Sequence, residues 1–427
     1  MSKTVAFHTL GCKLNYSETS SLSRSLEAEG YVKKDFDEDA DIYVINTCSV
    51  TDNADKECRA IVRKIKKRTP DSYVVITGCY AQLKPEQIAE MEGVDLVLGA
   101  AEKFNLPFYI KEISTKPGAD RGAVIHSCDI EDISGFNSSF SLSDRTRTFL
   151  KVQDGCDYNC SFCTIPLARG HSRSDTISGV IKNMEELAQT GTREIVLTGI
   201  NLGDFGKGND GGKGHEQTFF DLVRAADEVE GIDRIRISSI EPNLLTNEII
   251  EFVAGSKKFM PHFHIPLQSG SNKILSLMRR RYKRELYEER VNYIKQVMPH
   301  CCIGVDVIVG FPSESEADFM ETFNFLHGID VSYLHVFTYS ERENTQAIDI
   351  KPIVPIHQRN ERNKRLRNLS YQKLSYFTAS HAGTTRKVLF EGEGKSGIMD
   401  GYTDNYIKVS TPNRTEWVNR IVDWELR

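Results

Sequence analysis

From residue 3 to 113, and again from 148 to 337, short apolar runs alternate with longer amphipathic segments, and this rhythm limits the possible folds more than any other feature. Val5–His8, Ile42–Ile45, Val74–Thr77 and Val94–Leu98 have strand length. Ser17–Glu29, Asp52–Arg68 and Pro85–Met91 carry a helical pattern between them. Such alternation predicts an α/β fold with a parallel, doubly wound sheet. In the second stretch, strands are expected at Phe149–Val152, Glu194–Thr198, Arg234–Ser238, Phe263–Leu267, Ile303–Val309 and Tyr333–Phe337. Helices such as Ile177–Gln189, Leu245–Ala254, Glu285–Val297 and Ser315–Leu326 fall between them. Six β/α units predict a partial, open TIM-like barrel.

The rest of the chain reads differently. Residues 114–147 are rich in Gly, Ser, Asp and Thr and read as a linker with a short hairpin. A basic helix is expected at about 356–381, followed by short β-rich segments with Gly and Asn turns that read as a small antiparallel barrel. The boundaries expected are 1–120, a linker 121–145, a barrel 146–375 and a β-rich tail 376–427. Gly206–Gly214 reads as a mobile loop; it lacks the Gly-Lys-Ser/Thr ending of a nucleoside-triphosphate loop.

Against this frame the cysteines stand out. Cys156, Cys160 and Cys163 form Cys-x3-Cys-x2-Cys directly after an expected strand, where β/α folds collect their active sites. A structural zinc site takes four ligands, and most iron–sulfur clusters take four cysteines. A loop offering three leaves one iron of a 4Fe-4S cluster open to a substrate or cofactor. The competing reading is a zinc loop completed from elsewhere, for instance by His171. Cys12, Cys48 and Cys79 each follow a strand of the N-terminal sheet, in "TLGC", "INTC" and "ITGC". Parallel strands bring these ends to one sheet edge, where open α/β sheets bind ligands. A second three-cysteine cluster is expected there; buried core cysteines are the bland alternative. Cys58, Cys128, Cys301 and Cys302 read as ordinary cysteines, and His262 and His264 as barrel-lining or core histidines.

The formal net charge of −6 does not by itself point to a nucleic acid. Three local runs do: Glu57–Arg68, Met278–Arg284 and His357–Lys373 are basic. Any one of them alone reads as a solvated helix face. Ten cysteines in 427 residues are too few for a disulfide scaffold and fit metal ligation in a reducing compartment. No signal peptide or membrane span is expected, so the protein is expected in the cytoplasm.

The cysteine loop resembles that of the radical-SAM superfamily. There the open iron chelates S-adenosylmethionine (SAM), which is cleaved to a 5'-deoxyadenosyl radical. With the three spread N-terminal cysteines and the β-rich tail, the chain resembles the methylthiotransferase family of that superfamily over essentially its whole length. The resemblance implies two 4Fe-4S clusters, SAM, a tail of the TRAM type and transfer of a methylthio group to an unactivated C–H bond. "TLGCKLNYSET" and "GYTDNYIKV" are similar to the branch acting on N6-threonylcarbamoyladenosine beside the anticodon of tRNA. The alternatives are the isopentenyl-adenosine branch and the ribosomal-protein aspartate branch, or, outside the family, an iron–sulfur RNA-binding or assembly protein without radical chemistry.

The resemblance also implies cofactor contacts. Thr198 and Gly199 ("LTGINLGDFG") match the segment that binds the SAM amino group. Glu241 would hold the ribose. Phe162, Gln268 and Ile308, with Val307 and Val309 in the same strand, match positions around the cofactor and its adenine. Arg173, with Arg169, lies near either the SAM carboxylate or RNA phosphate. Implied partners are the tRNA anticodon stem-loop, a reducing partner such as flavodoxin or ferredoxin, and a sulfur donor, with the enzyme acting as a monomer. The basic helix would meet tRNA through Arg359, Arg362, Arg365 and Arg367, with the tail or Arg279–Arg281 as the alternative surface.

Overall fold

The computed structural model describes residues 3–48, 52–114, 122–133, 135–142, 146–207, 216–394 and 396–427; most of the Gly206–Gly214 loop lies outside them. The N-terminal strands are β1 (Thr4–Thr9), β2 (Val32–Lys34), β3 (Ile42–Thr47), β4 (Tyr73–Gly78), β5 (Leu96–Leu98) and β6 (Val124–His126). They form one parallel sheet in the order β2–β1–β3–β4–β5–β6. Its two faces are built by strict alternation. Tyr43 and Ile45 pack with Val62 and Ile65 of the helix Asp52–Arg68. Ile42 and Val44 pack with Leu22 and Leu26 of the helix Lys13–Ala28. Burial on both faces explains why β3 reads as a continuous apolar run. The direction of winding reverses between β1 and β3, the point where open α/β sheets bind ligands.

Two expectations need correction here. β6 extends the sheet beyond the expected boundary at residue 120, and β7 (Ser139–Phe140) pairs antiparallel with the first barrel strand. The segment 121–145 is therefore structural as well as connecting. The short β2 pairs only at the edge of the sheet, too brief to show as an apolar run.

The barrel strands are β8 (Arg147–Lys151), β11 (Glu194–Thr198), β12 (Arg234–Ile237), β13 (His262–His264), β14 (Cys302–Val309) and β15 (Tyr333–Thr338), with a small antiparallel pair, β9 (Gln153–Asp154) and β10 (Arg173–Ser174), after β8. The pairs β8–β11–β12 and β13–β14–β15 are parallel, and bridges at Ile235–Phe259 and Ser239–His264 join them into one curved, six-stranded array. One set of alternating residues, including Leu150, Ile195, Ile235, Phe263 and Val305, packs outward beneath the helices. The other set, including Arg147, Lys151, Glu194, Arg236, His262, His264, Asp306, Tyr333 and His335, faces the lumen. The interior is thus polar, unlike a packed barrel core.

The helix Ile356–Ala379 runs across the expected boundary at 375 and lies along β15. Beyond it, β16 (Thr385–Phe390), β17 (Ile398–Thr403), β18 (Lys408–Pro412) and β19 (Ile421–Glu425) form an antiparallel sheet in the order β18–β17–β16–β19. It docks on the barrel's strand starts: Arg234 donates to the Tyr402 and Lys387 carbonyls, and Arg236 to those of Thr403 and Asp404. The expectation that four helix arginines meet RNA fails for three of them. Arg359 and Arg362 are only 3% and 4% exposed and pair with Glu341 and Glu314, while Arg365 pairs with Glu316. Their charge fastens the helix to the barrel. Lys364 and Arg367 remain exposed.

Candidate active site

The loop after β8 gathers Cys156, Cys160 and Cys163, all free thiols in electrostatic contact with one another. Their sulfurs already accept hydrogen bonds: Cys156 from the Tyr158 N–H and Cys163 from the Ile165 N–H, each at 3.4 Å, and Cys160 from Arg280 Nη1 at 3.2 Å. Burial pushes the Cys156 and Cys163 thiols up to about 12 and raises Cys160 as well. Burial thus favours the neutral thiols, so metal loading releases protons. Glu241, at the end of β12, pairs with Arg280; burial raises its carboxyl against that pull.

Next to the loop, Phe162, Cys163, Gln268, Asp306, Ile308 and Tyr339 line a cavity of about 260 Å³. Val307 and Val309 point away into the outer core. Gln268 adopts φ 66°, and its carbonyl accepts the Ile308 N–H at 2.9 Å. Thr198 ends β11 and donates its hydroxyl to the Val196 carbonyl at 2.9 Å. Gly199 packs on Gln153, whose Oε1 accepts the N–H groups of Ile200 and Asn201 at 2.9 and 2.8 Å. Arg173 does not line the cavity. Its guanidinium donates to the carbonyls of Gly135, Arg169 and His171 and to Asp154.

The second cysteine set lies at the reversal point of the N-terminal sheet. Gly11 has φ 103°, and a Cβ there would stand 2.5 Å from Cys48 Cβ. Gly78 has φ 97°, and its Cβ would stand 2.3 Å from the Thr47 carbonyl oxygen. The glycine before Cys12 and the glycine before Cys79 thus let both segments close on Thr47–Cys48. Asn15 ties two of these pieces to the barrel half, donating to the Leu10 and Thr47 carbonyls at 2.8 and 3.0 Å and accepting from Arg169 Nη2 at 2.5 Å.

Behind these cysteines lies a buried charge cluster spanning both halves of the molecule. Glu18 Oε1 accepts from Lys103 at 2.7 Å, Lys151 at 3.1 Å and Arg169 at 3.2 Å. Asp154 meets Arg169 at 2.9 Å, and Lys151 and Arg173 at 3.4 Å each. Among the described residues, four cations therefore share two carboxylates. Burial alone would raise the Glu18 and Asp154 carboxyls, but the cations outweigh it and hold both well below the usual range.

A second cavity, about 310 Å³, opens between Gly11–Lys13 and the lumen; Tyr16, Arg147, Phe149, Arg236, His262 and Tyr406 also line it. His262 stacks on Tyr406 with ring centres 4.2 Å apart and hydrogen bonds with the Tyr333 hydroxyl at 3.1 Å. Two residues along β13, His264 meets Asp306 at 2.9 Å, and His335 meets the same oxygen at 3.4 Å. Burial raises the Asp306 carboxyl, but these hydrogen bonds and charges more than reverse that. Asp306 also lines the first cavity.

Comparison with known proteins agrees in both halves. Residues 4–99 match the family model "Uncharacterized protein family UPF0004", and residues 150–326 match the radical SAM superfamily. The threonylcarbamoyladenosine tRNA methylthiotransferase MtaB of Bacillus subtilis (strain 168) is 39% identical, covering 98% of this chain and 92% of its own length. Its counterpart in Aquifex aeolicus (strain VF5) is also 39% identical, over 95% of this chain and 96% of its own. The chain belongs to the radical-SAM methylthiotransferase family. A tRNA-2-methylthio-N(6)-dimethylallyladenosine synthase of Clostridium tetani is 30% identical over 98% of this chain and 93% of its own length. Among solved structures, the radical S-adenosylmethionine methyltransferase TsrM from Kitasatospora setae shares the fold with a TM-score of 0.58 at 18% identity, over 82% of this chain and 77% of that one.

The donor sets suit the clusters of such an enzyme. Three free thiols with N–H and guanidinium donors aimed at sulfur fit an anionic iron–sulfur cluster. The cation excess behind Cys12, Cys48 and Cys79 fits a second anion at that edge, since unmatched buried charge is costly. Positioning residues that sequence reasoning missed are Gln153 and Asn15, while Arg280, expected on an RNA surface, is buried against Cys160 and Glu241. Gln153 and Asn15 are fully buried polar side chains. Their one sequence signal is a polar residue closing an apolar run or directly following a motif.

Proposed function

We propose that this chain methylthiolates C2 of N6-threonylcarbamoyladenosine beside the anticodon of tRNA, using two 4Fe-4S clusters and two molecules of SAM. The reading is carried by likeness to enzymes of that name along nearly the whole chain, through both cysteine sites and the tail. The cofactors supply the hydrogen-abstracting radical, the sulfur and the methyl group. The protein's residues hold and orient. Cys156, Cys160 and Cys163 hold the cluster that meets SAM, and Arg280 steadies Cys160 while positioning Glu241 for the ribose. Gln153 fixes the Ile200–Asn201 backbone against the cysteine loop, with Thr198 and Gly199 beside the SAM amino group. Phe162, Gln268 and Ile308 take the cofactor in their cavity. Cys12, Cys48 and Cys79 hold the second cluster, across the lumen from the first.

The division of labour follows the fold. The N-terminal sheet carries the second cluster and the barrel carries SAM. The C-terminal sheet is a TRAM-like unit that grips a single-stranded loop of tRNA, whose unstacked base can enter the lumen. The enzyme works as a monomer in the cytoplasm, with a flavodoxin or ferredoxin as reductant and a separate sulfur donor. The test is nucleoside mass spectrometry of tRNA from a deletion strain. The 2-methylthio form of N6-threonylcarbamoyladenosine should vanish and return with the wild-type gene. Its persistence, or loss of the isopentenyl product instead, would overturn the reading.

A further inference from the structure

The 310 Å³ cavity is walled by three cations, Lys13, Arg147 and Arg236. Two are matched. Arg147 pairs with Glu391 at 2.9 Å, and Arg236 pairs with Glu194 at 2.8 Å and donates to two carbonyls of the tail. Lys13 differs: among the described residues it makes no hydrogen bond or ion pair, and its side chain is exposed on the cavity. The same wall holds the start of the 16-residue helix Lys13–Ala28, whose first turn has no acidic residue and whose cap side chain accepts no hydrogen bond from the helix backbone. Its dipole adds positive potential there. The cavity therefore carries one cation in excess, next to Cys12 and inside the barrel.

We propose that Lys13 binds the carboxylate of the amino-acid substituent on the substrate adenine, and so selects an acidic N6 group over an apolar one. This rests on the function proposed above and specifies the residue that reads the substrate. A backbone phosphate is the less fitting anion. The cavity is walled by Phe149, Val196 and Ile237 within the barrel, which suits an extruded base and its substituent better than the RNA backbone. Tyr16 and Phe149, packed edge to face at 5.8 Å, give an apolar wall for the rest of the substituent. A polar site made for one group disfavours the analogue lacking it, because its own charge is then left unpaired.

The test uses the full-length enzyme with its clusters assembled, comparing free N6-threonylcarbamoyladenosine with its methyl ester, and RNA hairpins carrying either one. Wild type should bind the acid roughly ten- to hundredfold tighter than the ester, the range for a hydrogen bond to a charged group. Lys13→Met should lose that factor on the acid and change little on the ester, while Lys13→Arg should restore part of it. Iron is measured in every preparation, because Lys13 adjoins Cys12. Equal losses on acid and ester would overturn the proposal and make Lys13 a partner of the cluster. An equal loss on an unmodified hairpin, with a shallower salt dependence, would overturn it in favour of phosphate. The nucleoside-binding arm needs no turnover. A protein that prefers the acid in binding yet modifies only isopentenyl-adenosine hairpins fails the function and not this assignment; one that modifies acid and ester alike fails this assignment and not the function.

Discussion

Replacing Glu18 with Gln tests the buried charge cluster directly. The carboxylate is fully buried and takes Lys103, Lys151 and Arg169 on one oxygen, at 2.7, 3.1 and 3.2 Å. Glu18→Gln keeps the shape and removes the charge. Four cations then face Asp154 alone. Breaking a buried pair by deleting one partner costs about 3–5 kcal/mol, because the survivor is left uncompensated. Units of 150–250 residues lose about 2–4 °C per kcal/mol. Taking the lower slope for this larger chain, the cluster-free variant should melt about 6–10 °C below wild type. Anaerobic loading of the clusters should shrink that deficit, since an anion at Cys12, Cys48 and Cys79 offsets the freed cations. The pH dependence has a definite sign. A carboxyl held well below its ordinary pKa contributes stability above the usual carboxylate range and loses it only in acid. The deficit should therefore stay constant between neutral and mildly alkaline pH. Calorimetry of both forms decides: a variant melting within about 1 °C of wild type without clusters, or one further weakened by loading them, would refute the reasoning.

Other consequences are simpler to read. Two three-cysteine sites imply about eight irons per chain. Cys160→Ala should abolish SAM cleavage and keep about half of that iron, whereas Cys48→Ala should keep SAM cleavage but stop methylthiolation; loss of cleavage in Cys48→Ala would reverse the assignment. Burial pushes Glu314 up to about 7 despite Arg362, so its contribution is full in acid and lost as pH rises through 7. Wild type should lose up to about 1.4 kcal/mol per pH unit between about 4.5 and 7 relative to Glu314→Gln and level off above 7, and parallel melting curves across that range would count against it. If the exposed side of the helix Ile356–Ala379 meets tRNA, Lys364→Glu with Arg367→Glu should weaken binding and lower the slope of log affinity against log salt by about one unit per lost contact; an unchanged slope would clear that face.

The strands were legible because each carries its signal locally. Apolar runs such as Ile42–Ile45 and Ile303–Val309 need no distant partner to be recognised, and each falls inside an observed strand. The convergence of Cys12, Cys48 and Cys79 followed from topology, since parallel strands end together. What could not be read is what depends on partners far along the chain. Arg169 and Glu18 are 151 positions apart and meet only once the two halves dock. The arginines of the basic helix looked like an RNA surface because sequence shows their charge and hides the acids that match it: Glu341, Glu314 and Glu316 sit on other elements. The partners of Arg173 are hidden for the same reason. Most of its partners are backbone carbonyls, which no side-chain pattern reveals.

The polar lumen links these observations. A barrel that needed only to be stable would fill its interior with branched apolar side chains. This one instead aims Arg236, His262, His264, Asp306 and His335 inward and stabilises them with long-range partners. Tyr406, carried by the tail, stacks on His262 at 4.2 Å and lies under Arg236 at 5.1 Å. Arg236 in turn is held by Glu194 and by the Thr403 and Asp404 carbonyls. The C-terminal sheet thus completes one wall of the cavity in which Lys13 stands, while the N-terminal sheet supplies the opposite one. Neither terminal unit can be removed without opening that cavity to solvent, where a single ammonium would hold a carboxylate far more weakly. Discrimination between acidic and apolar substituents therefore depends on all three parts being docked, although the residue that makes it lies beside the first cysteine.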